Sequence, residues 1–304
     1  MTAMSTTKKS IVFLVLAFAI SWAIVGAGAA MGAATTPQIA ILTMIAMMYG
    51  PSIAAVICAF AFEKGRRRDA LGLRFGVNWW WLVAWGIALV IAFGSTLVTV
   101  LAGKAEFIDL GANYIAQARI AMPEQTAALD QAAGMPGLSW IILAQATILG
   151  ALINTPLLVI SEELGWRGYL YDLWRRFGFW RTTLATGFFW GLWHAPAIYL
   201  FGLNYPDNRL IGIPLFIAFC MLFSAPFTLV RDRGKSVVAA AILHGTSNAV
   251  GGVAALCMSQ IVFPWNGVVG IGGFAMLTLV ALGSWLIAGA RTPLPSSAAP
   301  AKHA

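Results

Sequence analysis

Charge is what this chain has least of. Only 10% of its 304 residues are charged, against 60% hydrophobic, and the mean hydropathy is +0.82. A soluble domain carries about 25% charged residues, so the composition excludes a soluble globular protein. Cysteine is scarce as well. Cys58, Cys220 and Cys257 are scattered through apolar stretches without CxxC spacing. That excludes a disulfide framework and leaves them as small buried hydrophobes. No internal repeat is visible.

What is there is a series of apolar runs. A helix needs about 20 apolar residues to cross the hydrocarbon core. Eight segments qualify: about 11–31, 39–62, 79–102, 139–162, 182–200, 210–230, 237–258 and 266–289. The expected fold is an all-α polytopic membrane protein, a single transmembrane domain over 1–290. The tail 291–304 is rich in Pro, Ser and Ala and is expected to be a disordered cytoplasmic segment. Lys8 and Lys9 before an apolar run, with Ala27–Ala30 near its end, suggest a signal peptide. The run 11–31 is longer than the usual 7–15-residue apolar core of one, so a retained first helix is expected.

Lysine and arginine orient the bundle. With the N-terminus in the cytoplasm, only Lys104, Arg119 and Arg209 fall outside, and the other sixteen of the 19 basic residues fall inside. By the positive-inside rule this predicts N-in and C-in. It also accounts for the net charge of +8 as topology signals and headgroup contacts, with no nucleic acid as partner. The loop 103–138 is the one long polar excursion. The spacing of Phe107, Leu110, Tyr114 and Ile115 predicts a short amphipathic helix at the outer surface.

Of 11 acids and 3 histidines, four residues gather inside the apolar segments: Glu162, Glu163, His194 and His244. A carboxylate near the bilayer centre costs roughly 2.5–3.5 kcal/mol on insertion scales, so such groups mark function by default. On a helix Glu163 and Arg167 are i,i+4 neighbours and can pair. Glu162 points about 100° away, which frees it to face a cavity. His194 lies roughly 20 Å along its helix from Arg181, and His244 roughly 14 Å from Lys235. His244 and Asn248 share one face. If the fourth helix continues past Glu163 toward Arg175, all three segments meet at one depth, in the cytoplasmic half.

Such a set can hold and deprotonate water. His244 and Asn248 can donate to a developing oxyanion. Alternatively Glu162, His194 and His244 can hold zinc with a position open for water. Ser247, beside the His244/Asn248 pair, is a further candidate with no evident base. A proton-coupled transporter also uses intramembrane Glu and His. A non-catalytic immunity or scaffold protein would keep the fold without the chemistry.

Three motifs carry a resemblance: Glu162-Glu163-x-x-x-Arg167, Trp190-x-x-x-His194, and His244-x-x-x-Asn248. Weaker support comes from Tyr49–Ala55 and Leu71–Arg74. Together these resemble the CPBP intramembrane proteases, the family of type II CAAX prenyl endopeptidases, bacteriocin-processing and abortive-infection proteins, over about residues 40–255. The resemblance implies an eight-helix fold with the protease core at about 139–258. It implies peptide hydrolysis at a site opening toward the cytoplasm.

 The resemblance further implies Glu162 as the base that activates water, aided by His194, with His244 and Asn248 as oxyanion stabilisers. Glu163 with Arg167 would support the site. Zinc on Glu162, His194 and His244 is permitted. The partners implied are the lipid bilayer and a membrane-associated or prenylated peptide, in a bacterial inner membrane. One departure stands out: the family often has Phe where this chain has Trp190, which is expected to alter pocket shape and not mechanism.

Overall fold

The computed structural model describes residues 4–289. The tail expected to be disordered, which includes His303, lies outside the described residues. Apolar runs become helices because a backbone in hydrocarbon must satisfy its own polar groups, and a helix does so within one segment. Among the described residues seven helices are long and apolar enough to cross a membrane. They are α1 (Thr6–Ala30), α2 (Pro37–Phe62), α3 (Trp80–Leu101), α6 (Leu138–Phe177), α9 (Arg209–Gly234), α10 (Val237–Leu256) and α11 (Ile271–Ala288). The loop after α3 holds two short helices, α4 (Leu110–Ala121) and α5 (Thr126–Ala133). These are where the amphipathic helix was expected: Leu110 and Ile115 are buried, while Phe107 and Tyr114 are exposed.

The expected span at 182–200 is not one continuous helix. It is α7 (Phe179–Trp193) followed by α8 (Ala195–Phe201), interrupted at His194. Pro196 is the cause, because it has no N–H to donate and its ring crowds the turn before it. The chain is therefore an all-α polytopic membrane protein, with seven candidate spans among the described residues.

With α7 and α8 counted together as one span, successive spans alternate in direction, so the bundle has two ends. At the basic end, Lys9 Nζ meets Glu63 Oε1 at 2.6 Å and Arg66 Nη1 meets Glu63 Oε2 at 2.7 Å. Arg66 also pairs with Asp172, and Trp174 Nε1 donates to Ser10 Oγ at 2.8 Å. These contacts tie α1, the end of α2 and the end of α6 together. Glu63, only 3% exposed, reads in the sequence as an ordinary loop acid. At the opposite end, Ser259 N donates to the Glu106 carbonyl at 2.9 Å. Asn113 Nδ2 donates to the Leu256 carbonyl at 2.8 Å.

Helix α6 positions the rest. At 40 residues it would reach on the order of 60 Å at 1.5 Å per residue, about twice the hydrocarbon thickness. Its stretch Val159–Leu170 is a π-helix, a form that recurs at functional sites. Two glycines there admit neighbouring backbone. A Cβ on Gly165 would lie 2.6 Å from Pro51 Cβ, and one on Gly168 2.5 Å from the Leu71 carbonyl oxygen. The weaker motifs at Tyr49–Ala55 and Leu71–Arg74 thus pack onto the strongest one. Close approach through small residues is how helices associate where no hydrophobic force separates them from lipid.

Gly168→Val should lower stability by about 1–3 kcal/mol, the usual cost of overpacking, read as a lower midpoint of thermal unfolding in detergent micelles.

Candidate active site

The two adjacent glutamates have different surroundings. Glu163 is fully buried and Arg167 is 2% exposed. Arg167 Nη1 lies 2.9 Å from Glu163 Oε1, the i,i+4 pair expected from the sequence. The same oxygen accepts from His244 Nδ1 at 2.8 Å. The Arg167 guanidinium is sandwiched between the rings of Trp190, at 4.1 Å, and Phe227, at 3.9 Å. Planar guanidinium groups favour such stacking over aromatic faces. Its carbonyl in turn accepts from Arg231 Nε at 2.6 Å.

Glu162 faces the other way, into a cavity of about 370 Å3 that is also lined by Trp190, His194, His244, Ser247 and Asn248. Trp190 Nε1 donates to Glu162 Oε2 at 2.8 Å. Glu162 Oε1 has no hydrogen bond among the described residues. The three sequence motifs therefore converge on one space, with Glu163 and Arg167 behind it. Trp190 was expected to shape the pocket; it also grips the carboxylate, which the Phe common in the family has no N–H to do.

The histidines are oriented by their other nitrogens. His194 Nδ1 lies 2.8 Å from the Trp190 carbonyl, which can only accept. The proton is thus on Nδ1, and the neutral ring keeps an acceptor at Nε2. Trp193 and Phe216 hold the His194 ring edge-on, with centroids at 4.6 and 4.8 Å. His244 Nδ1 is engaged by Glu163, leaving its Nε2 as the group still available. Asn248 is exposed on the cavity wall. Ser247 Oγ is buried without a partner.

Zinc was a further expectation for Glu162, His194 and His244. An Nδ1 held by a carboxylate or a carbonyl, with Nε2 open, does suit a metal-ligating histidine. Yet among the described residues no three His, Cys, Asp or Glu side chains are gathered closely enough to hold an ion. Glu163 is engaged by Arg167 and His244, and Glu162 has one of its two oxygens held by Trp190. The set does not fit a metal in this arrangement.

The cavity has a direction. From Glu162 its walls pass Phe223, Phe219 and Phe216 on α9, and Gly251 and Gly252 on α10, to Asn204 and Val268. Both helices are followed away from the basic end. Below Glu162, every residue from Ser161 to Leu170 is buried. The lining thus runs away from the basic end, the end expected to face the cytoplasm. Nothing in the sequence signals this course, since Phe216, Phe219 and Phe223 look like ordinary core at helical spacing.

Comparison with known proteins agrees with the motifs. The family described as type II CAAX prenyl endopeptidase Rce1-like matches residues 144–250. A protein named CAAX prenyl protease 2 from Methanococcus maripaludis is 48% identical over 88 residues, which is 27% of this chain and 32% of that relative. The match thus spans about a third of the relative's length. All three motifs fall inside the matched region, so this segment of the chain is similar to the Rce1-like CAAX prenyl endopeptidases.

Proposed function

We propose that this chain is an intramembrane endopeptidase that hydrolyses a peptide bond with a water activated by Glu162. The observation that carries the reading is the division between two neighbouring carboxylates. Glu163 is held by Arg167 and His244, and Glu162 faces the cavity with His194 and Asn248. The name of the curated relative and the apolar walls point to a membrane-associated substrate, a prenylated peptide among them. The Lys and Arg distribution supports an N-in, C-in orientation, in a bacterial inner membrane.

The chemistry follows from the groups present. Glu162 takes a proton from water, with His194 Nε2 accepting the second hydrogen and orienting the lone pair. The water oxygen attacks the peptide carbonyl carbon. His244, when it carries both protons, and Asn248 donate to the oxyanion as it forms. The C–N bond then breaks, and the proton on Glu162 passes to the departing amine. Trp190 and Glu163 position the groups that react.

Glu162→Gln should lower kcat by about 10²–10⁴, the range for a general base, with an unchanged melting midpoint. His194→Ala should also abolish turnover in a folded protein. Both are checked with purified protein against membrane-embedded and prenylated peptides, with products read by mass spectrometry. A fully active Glu162→Gln protein overturns the assignment.

Trp190→Phe keeps the ring and loses the N–H. A hydrogen bond to a charged group is worth about 1.5–3 kcal/mol, so kcat should fall on the order of tenfold or more with KM little changed. Arg167→Ala strands Glu163 and should cost about 3–5 kcal/mol of stability, seen as a large drop in the thermal midpoint.

A further inference from the structure

We infer that the loop between α2 and α3 is a binding site for the phosphate of an anionic phospholipid, held by Arg67 and Arg68 at the bilayer surface. This site depends neither on the protease reading nor on which side of the membrane the loop faces. The loop follows directly on one span, Pro37–Phe62, and leads directly into the next, Trp80–Leu101. It therefore lies at a membrane interface in either orientation.

The charge in this loop is unevenly matched. A surface cleft of about 530 Å3 between Gly65 and Arg74 is lined by four arginines, Arg66, Arg67, Arg68 and Arg74, with one acid, Asp69. Two of the four are neutralised. Arg66 meets Glu63 and Asp172, and Arg74 Nη2 lies 2.9 Å from Asp69 Oδ1. Arg67 and Arg68 have no acidic partner among the described residues. Two adjacent positive charges on one cleft favour an anion, and the forked N–H groups of a guanidinium match the oxygens of a phosphate. The Arg67 guanidinium lies 4.2 Å over the ring of Phe60. Phe60 is 56% exposed and belongs to the last turn of the apolar run of α2. A long cationic side chain at the end of a span lies along its apolar surface and puts its charge among the headgroups.

What distinguishes a phospholipid from a dissolved anion is the apolar surface beside the charge. Phe75, Val77 and Trp79 follow the arginines at alternate positions and are 75%, 83% and 65% exposed. Large apolar groups exposed next to basic ones suit a partner that is anionic at its surface and apolar beneath it. The loop is also held in place. Asn78 Nδ2 donates to the Gly234 carbonyl at 3.2 Å, and Asn78 Oδ1 accepts from Trp80 N at 3.1 Å. The Gly72 carbonyl accepts from Val237 N at 3.0 Å. A site fixed before binding loses little freedom on binding. Its inner edge reaches the Glu163–Arg167 pair: the Leu71 carbonyl closes on Gly168, and Arg231, over Gly72, donates to the Arg167 carbonyl at 2.6 Å. A bound headgroup therefore clamps the layer beneath that pair and stabilises the folded chain.

The test compares two lipids with the same acyl chains and different headgroups. Purified full-length protein in neutral-detergent micelles is titrated with phosphatidylglycerol or with phosphatidylcholine, and the thermal unfolding midpoint is read at each mole fraction. Phosphatidylglycerol should raise the midpoint by several degrees, and phosphatidylcholine should not. Arg67→Gln/Arg68→Gln should keep the wild-type midpoint in phosphatidylcholine and need roughly tenfold more phosphatidylglycerol for the same rise, the order expected for two interfacial charges. Arg175→Gln/Arg176→Gln removes the same charge from exposed positions outside the cleft and should titrate like the wild type. Should the first double variant melt early in phosphatidylcholine, Arg68→Gln alone, at an exposed position, carries the comparison and should shift the titration the same way by less. Equal responses to the two lipids, equal shifts in the two double variants, or an unshifted titration in the cleft variants overturns the inference. A rise of the same size with inorganic phosphate alone also overturns it, because the cleft would then take the free anion.

Discussion

Everything in the site depends on one buried ion cluster, in which the Glu163 carboxylate is shared between Arg167 and His244. Removing charges from water costs several kcal/mol per ion, and only good geometry with further hydrogen bonds offsets it. Here the geometry is supplied from four helices. Arg167 comes from the same π-helical stretch as Glu163, His244 from α10, and the two rings that sandwich the guanidinium, Trp190 and Phe227, from α7 and α9. The cluster therefore fixes the azimuth of four helices at one depth. It also leaves Glu162, one residue earlier, turned toward a different space.

That turn separates structure from chemistry within a single dipeptide. Glu163 holds His244 by Nδ1, so its Nε2 is aimed without any other constraint. Trp190 holds one oxygen of Glu162 and stacks on Arg167 at the same time, and thus couples the reactive carboxylate to the structural one. The break at His194 has a related effect. Because Pro196 stops α7, the His194 ring can be set against the Trp190 carbonyl and the faces of Trp193 and Phe216. The layer of Gly168, Leu71, Gly72 and Arg231 beneath the cluster closes the basic end, and the cavity extends the opposite way.

Much of this was legible in the sequence. Span positions follow from run lengths, the Glu163–Arg167 pair from i,i+4 spacing, and the common depth of Glu162, His194 and His244 from the rise per residue. What axial distance does not contain is azimuth. The bond from Trp190 to Glu162 joins α7 to α6, and that from His244 to Glu163 joins α10 to α6, so neither can be read from one helix alone. For the same reason His244 was read as an oxyanion donor or a zinc ligand, without its link to Glu163. Glu63 looked like an ordinary loop acid because its partner Lys9 is 54 residues away in the chain. The direction of the cavity is not legible because charge says nothing of where side-chain volume leaves a gap.

The claim at the centre is that two neighbouring carboxylates have separate jobs, one reactive and one structural. The most direct measurement is the thermal unfolding midpoint of Glu163→Gln beside that of Glu162→Gln, in the same detergent and with the wild type as reference. The account predicts a large drop for Glu163→Gln, which leaves Arg167 buried without its counter-ion, and no drop for Glu162→Gln. Equal midpoints for the two variants would contradict it.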